Sequence, residues 1–270
     1  MTLREFFLSE GIEEFSILDY SETEKLSPDK ANRILSGESR TVVPFLMPYL
    51  VGGEKGNISI YARARDYHFY INELSKRLFD AFGDEFAVAG DTSPLNEVAC
   101  AVRSGLGSIG RNGLLINEKY GSFVFLGEVF STLPKDHPVF EGIERRNEGQ
   151  FCLDCGRCER GCRWGGITDK SRCLSFINQK KRIDESEEEM IADSGIVWGC
   201  DDCQTVCPMN EGAKETPISF FRENRIPCLT TEIIEDTLKS GEFKRRAWAW
   251  RGEATVKRNA EIVGRKNEKQ

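Results

Sequence analysis

No apolar run in the 270 residues approaches the roughly 18–20 needed to cross a bilayer, so a membrane-spanning role is not expected. Basic residues, 37 Lys/Arg, fall short of the 44 Asp/Glu. A formal net charge of −7 argues against indiscriminate nucleic-acid binding. The N-terminus, Met1-Thr2-Leu3-Arg4-Glu5-Phe6-Phe7, carries an early Glu and lacks the apolar core of a secretory signal. The cytoplasm is the expected location, and thiols there stay reduced. The first 150 residues contain no internal repeat. At 39% hydrophobic and 30% charged residues, the chain has the balance of a soluble globular protein in one large or two modest domains.

What the chain has in quantity is cysteine, ten in all, and these favour metal or cluster ligation over disulfides. Cys152, Cys155, Cys158 and Cys162 follow the spacing C-x2-C-x2-C-x3-C. Three thiolates two residues apart can wrap three corners of one 4Fe–4S cube, while the fourth points to a neighbouring cluster. Cys200, Cys203, Cys207 and Pro208 repeat the last three-quarters of that run, and Cys173 lies between to supply the missing corner. The expected sets are Cys152, Cys155, Cys158 and Cys207 on one cluster, and Cys162, Cys173, Cys200 and Cys203 on the other. Structural zinc would favour separated C-x2-C pairs. Arg163 stands where a proline usually follows the fourth cysteine, which removes no ligand. Cys100 and Cys228 fall outside the pattern and read as buried apolar thiols.

Before the cysteines, helices and strands alternate. Ser27-Pro28 followed by Asp29 to Ser36 and Gly37 predicts a short capped helix. Thr41 to Val51 reads as an edge or irregular strand limited by Pro44 and Pro48. Asp66 to Phe82 has helical spacing closed by Gly83. Phe86 to Ala89 predicts a short strand and Pro94 to Ser104 a helix. Leu114 to Asn117 and Phe123 to Thr132 read as paired strands around Tyr120-Gly121. Residues 134–150 read as a linker, and Lys180 to Ile191 as a solvated helix. Residues 241–270 hold nine Lys/Arg against four Glu, a basic tail on an acidic body. Within it, Trp248 and Trp250 sit among arginines and suit either base stacking or the buried face of a helix.

Asp91-Thr92-Ser93-Pro94 lies where a strand ends and a helix begins, a common place for a functional carboxylate. The glycine-rich segments Ser104 to Gly110 and Arg111-Asn112-Gly113 follow, readable as a cofactor-contact loop or as an ordinary turn. These segments, with Arg103-Ser104-Gly105-Leu106-Gly107, Gly121 to Glu128, Gly199 to Pro208, Tyr61-Ala62-Arg63 and Asp66-Tyr67-His68, resemble the epoxyqueuosine reductase family over roughly residues 40–210.

That resemblance implies an iron–sulfur, cobalamin-dependent oxidoreductase acting on the wobble nucleoside of tRNA. Electrons would come from an external donor such as a ferredoxin or flavodoxin. It implies an α+β fold in three parts: an N-terminal α/β domain of cobalamin-binding type (1–133) and, beyond the 134–150 linker, a two-cluster ferredoxin-like domain (151–225) and a helical basic tail (226–270). It further implies that Asp91 is the proton donor. A carboxyl partly shielded from water can hold a proton near neutral pH. Cobalamin contacts would fall at Leu115, Leu126 and Cys200-Asp201-Asp202-Cys203, although Leu115 and Leu126 also read as plain strand core. The histidines, His68 and His137, are not needed on cobalt in this family, and His68 reads as a structural or polar contact. Family members continue into a helical-repeat region that grips tRNA, of which only Phe243 to Val263 resembles the beginning. A corrinoid reductase of a small molecule and a ferredoxin-like electron carrier are the alternatives.

Overall fold

Alternation of apolar residues builds a sheet with two covered faces. The computed structural model describes residues 1–31, 33–35 and 37–267. Among these, six strands are formed: β1 (Leu18–Asp19), β2 (Thr41–Pro48), β3 (Phe86–Ala89), β4 (Ser108–Ile109), β5 (Leu115–Ile116) and β6 (Val124–Ser131). The main sheet has the order β1-β2-β6-β3, and β4 pairs with β5 as a small ribbon. Every ladder is antiparallel, so the α/β arrangement expected for the N-terminal part is corrected: helix and sheet are mixed without parallel crossover units. Val43, Phe45, Met47, Phe86 and Val129 face one core. The alternate positions Val42, Leu46 and Phe130 face two smaller clusters on the other side.

β2 is an interior strand, not an edge. All eight of its residues are buried and pair with β6 from Thr41↔Ser131 to Pro48↔Val124. Its prolines survive because the even positions face the β1 side: Leu46 N–H donates to Glu14 O there, and Pro44 needs only to accept from Ser16 N–H. The strands at 115–116 and 124–131 do not pair with each other as expected. β5 turns back onto β4, and β6 fills the gap between β2 and β3.

The helices before the cysteines are α1 (Leu3–Ser9), α2 (Pro28–Ala31), α3 (Tyr67–Phe82) and α4 (Glu97–Arg103). α3 behaves as its spacing predicts. Asp66 caps it, Tyr70, Ile71, Leu74 and Leu78 are buried, and Gly83 (φ 77°) ends it. α2 covers Pro28–Ala31 and Arg33 is already in a turn, short of the expected end; Asn32 and Ser36 of the expected helix lie outside the described residues. α4 begins three residues later than expected because Asn96 takes the cap, accepting from Ala99 N–H. Residues 134–150 are tied to the sheet region. Phe140 and Ile143 are buried in its first core, and Arg145 pairs with Glu22 at 2.6 Å.

Beyond them lie α5 (Arg157–Gly161), α6 (Leu174–Ile177), α7 (Glu185–Ser194), α8 (Asp202–Thr205), α9 (Ser219–Arg222), α10 (Thr231–Ser240) and α11 (Glu253–Asn267). A second core gathers Ile177, Ile191, Trp198, Ile234, Trp248 and Val256, and Ile58 and Ala62 from the first half of the chain join it. The basic segment is therefore partly core: Trp248 is buried, while Trp250 is 59% exposed with the Arg251 guanidinium 3.7 Å from its ring. Residues 268–270 of that segment lie outside the described residues. Among the described residues no helix is long and apolar enough to cross a membrane.

Candidate active site and cysteine centres

The first expected set of cysteines converges. Cys152, Cys155, Cys158 and Cys207 line one cavity together with Arg111 and Asn112. Gly156 (φ 67°) reverses the chain between Cys155 and Cys158, and α5 carries Cys158 inward. In the second set, Cys203 lies within electrostatic reach of Cys162 and Cys173, and Cys200 within reach of Cys203. The approach at Cys173 is so close that a side chain on Gly166 would stand 2.5 Å from the Cys173 Cα. The Gly166 N–H points at the Cys162 sulfur at 3.1 Å. Among the described residues no three His, Cys, Asp or Glu side chains meet as they would on a single ion. The first set surrounds a space instead of a point, which suits a larger inorganic core.

The loop between β4 and β5 joins the two sets. Arg111 bridges Asp154 at 2.8 Å and Glu159 at 2.7 Å, and Asn112 stands close to the Cys203 sulfur. Two glycines just before the ribbon are required by the chain itself: a Cβ on Gly107 would stand 2.6 Å from Ile116 O, and one on Gly105 2.6 Å from Asn147 O. At these two positions internal packing takes the place of the expected ligand contact, whereas Gly113 in the loop has open space beside it. Asp201 is likewise turned inward: it accepts from Ser59 Oγ and, at 2.8 Å, from Ile60 N–H, and burial raises its pKa. Asp202 pairs with Arg163 at 2.9 Å. The arginine in the place of proline therefore anchors the turn after Cys162. Gln204 and Asn210 complete the seam to the sheet region through Ser122.

Asp91 lies at the end of β3 in a left-handed conformation (φ 60°). Its carboxylate faces His68 Nε2 at 3.3 Å, and His68 Nδ1 is 2.7 Å from Asp66. The Tyr67 hydroxyl also reaches Asp91, and the Tyr67 ring stacks on Phe125 at 4.3 Å. Burial, with the charge of Asp91 next, pushes the Tyr67 phenol far above its usual range and keeps it a neutral donor. The Asp91 side chain is 62% exposed, so the protein alone does not supply the expected shielding. Behind the turn lie two carboxylates. Burial, then the neighbouring Glu128, pushes Glu97 up to about 8. Glu128 is 1% exposed, is raised by burial, and accepts from Ser93 Oγ. Cys100 is buried as expected, whereas Cys228 is exposed, contrary to expectation.

Whether the residues fit the two implied groups can be judged from donors and surface. Eight thiols in two sets fit two 4Fe–4S clusters. For a corrin, the suitable feature is an apolar stripe left half-covered on β6, Val124 and Leu126, between the Asn112 loop and the Asp91 turn. Leu115, by contrast, is 5% exposed and packs into the small core with Leu46, Ala101 and Leu106. Tyr67, Asn112 and Glu128 stood within segments quoted from the sequence but were given no role of their own, and Glu97 was not named. The alternation of β6, which turns Leu126 and Glu128 to one face, could have signalled Glu128.

No family model matches the chain. The epoxyqueuosine reductase of Leadbetterella byssophila is 30% identical over 79% of this chain and 75% of its own length. That of Lactococcus garvieae is 32% identical over 76% of this chain and 60% of its own. A solved epoxyqueuosine reductase with a tRNA-Tyr epoxyqueuosine-modified stem loop matches with a TM-score of 0.75 at 22% identity, covering 97% of this chain and 79% of that one. Alignments with the Burkholderia pseudomallei, Lactococcus and Listeria monocytogenes relatives span 43–60% of their lengths. With this identity across three-quarters of a full relative, the chain belongs to the epoxyqueuosine reductase family.

Proposed function

We propose that the protein is an oxidoreductase that reduces epoxyqueuosine to queuosine in tRNA, using two 4Fe–4S clusters and cobalamin. The observation that supports this reading is the Asp66–His68–Asp91 line, with Tyr67 beside it, in a chain that also brings Cys152, Cys155, Cys158 and Cys207 to one cavity. The clusters would be held by Cys152, Cys155, Cys158 and Cys207 and by Cys162, Cys173, Cys200 and Cys203. Cobalamin would lie against Leu126 and the Cys200–Cys203 loop, with Leu115 beneath. When bound, these groups supply single-electron transfer and a strongly reducing cobalt centre.

Converting an epoxide to an alkene takes two electrons and two protons and releases water. The electrons require an external donor of the ferredoxin or flavodoxin class. Opening the ring frees an alkoxide, and Asp91 is the carboxyl suited to protonate it. Asp66 holds Nδ1 of His68, which leaves Nε2 facing Asp91 as the next group in a proton line. Tyr67 stands close to the same carboxylate as a neutral phenol. The exposed Trp250 with its stacked Arg251 offers a surface for an unpaired base, and the fold is shared with a reductase solved with a tRNA stem loop.

The test is anaerobic reconstitution with iron, sulfide and cobalamin, followed by turnover of an epoxyqueuosine-bearing stem loop under a strong reductant. Asp91→Ala should lower turnover by about 10²–10⁴-fold, with iron content and cobalamin absorbance unchanged. Full activity in that variant removes Asp91 from the mechanism. A wild-type protein that holds every group yet leaves the stem loop unchanged overturns the substrate.

A further inference from the structure

We propose that Glu97 and Glu128 are positioning residues that hold the Asp91 turn in shape, Glu97 through the backbone N–H of Asp91 and Glu128 through the hydroxyl of Ser93. The inference rests on the reading of Asp91 as proton donor. Asp91 is one of three non-glycine residues with positive φ among the described residues. Thr92 N–H donates to Gly90 O at 2.7 Å across it, closing a three-residue turn of a rare and strained kind. Such a turn persists only where its surroundings over-determine it.

Two ties do so, and they come from different elements. Glu97 Oε1 accepts the Asp91 N–H at 2.9 Å from the first residue of α4. Glu128 Oε2, from the middle of β6, accepts from Ser93 Oγ, which in turn accepts from Leu95 N–H at 3.2 Å. On the sheet side the turn is closed against α3, where a Cβ on Gly90 would come 2.3 Å from Ile71 Cδ1. Helix capping does not account for Glu97, because Asn96 already caps α4. Two neighbouring carboxylates in a largely buried place lower stability, and Glu128 Oε1 has no partner at all. What the pair provides is a fixed direction for Asp91, between His68 and Tyr67.

The experiment compares hydrogen–deuterium exchange and turnover in the reconstituted protein. In Glu97→Ala, exchange should rise in peptides covering residues 88–96 and stay unchanged in the β2–β6 ladder. In the same variant kcat on the stem loop should fall roughly 100-fold with KM little altered. Glu97→Gln keeps an acceptor oxygen and should retain both protection and turnover. Ser93→Ala cuts the second tie and serves should Glu97→Ala fail to fold. Unchanged exchange in the variants, or raised exchange with undiminished turnover, overturns the proposal. An Asp91→Ala protein as active as wild type would instead overturn the reading beneath it, so the two failures are separable.

Discussion

Around the cysteines the local helices are four or five residues long (α5, α6 and α8), whereas the Asp91 turn rests on a four-stranded sheet with apolar cores on both faces. Helices that short do not hold themselves together in water. The cysteine region keeps its shape through ties to other parts, such as Asp201 to Ser59 and Ile60 and Asn210 to Ser122, and through whatever its thiols bind. The sheet region keeps its shape by burial, which needs no bound group. The contrast separates two kinds of site: one organised by what it holds, the other by a scaffold that would stand without a ligand.

The largest expected effect is on the first kind. Cys203→Ala should lose turnover and about half the iron, because it removes one corner of one cluster. Exchange should rise across residues 152–210 while the β2–β6 ladder stays protected; loss of protection throughout the sheet would erase the contrast. Next comes Trp248→Ala, which empties a fully buried site in the second core and should cost about 3–5 kcal/mol in denaturant unfolding. A near-neutral result would mean that the basic segment is not part of that core. Asp201→Ala removes three hydrogen bonds to one carboxylate, from Ser59, Ile60 and Gln204, and should cost about 2 kcal/mol, with iron binding weakened and the Asp91 turn unaffected.

The smallest effect concerns pH. Glu97 is raised from 4.5 to about 8 in the folded protein. Its contribution is therefore fully present below pH 4.5 and is lost as pH rises through 8. Glu97→Gln, neutral throughout, should melt like wild type near pH 5 and a few degrees (on the order of 2–4 °C) above it at pH 8.5. Equal melting temperatures at both pH values would mean that Glu97 is not buried as a carboxylate.

The comparison also explains what could be read from residue order. Cysteine spacing is a short-range property, so the convergence of Cys152, Cys155 and Cys158 could be anticipated from it, with Cys207 joining from the matching second run, as could α3 from its apolar period and Asp66 cap. Asp91 was visible because it ends a strand just before a helix. Its partners were not: His68 and Tyr67 come from α3, Glu97 from α4 and Glu128 from β6. Pro44 and Pro48 pointed to an edge strand because a missing N–H usually marks one; here both face the thinly paired side of an interior strand.

By itself the sequence determined where the closely spaced thiol runs lie, where the amphipathic helix lies and which carboxyl stands at a strand end, since each depends on residues within a few positions of one another. Tertiary structure alone decided that β6 enters between β2 and β3, and that two buried acids stand behind Asp91. It also decided that Trp248 turns inward while Trp250 stays in water. Those outcomes depend on which apolar surfaces meet and which buried polar groups find partners, and contacts between distant segments settle both.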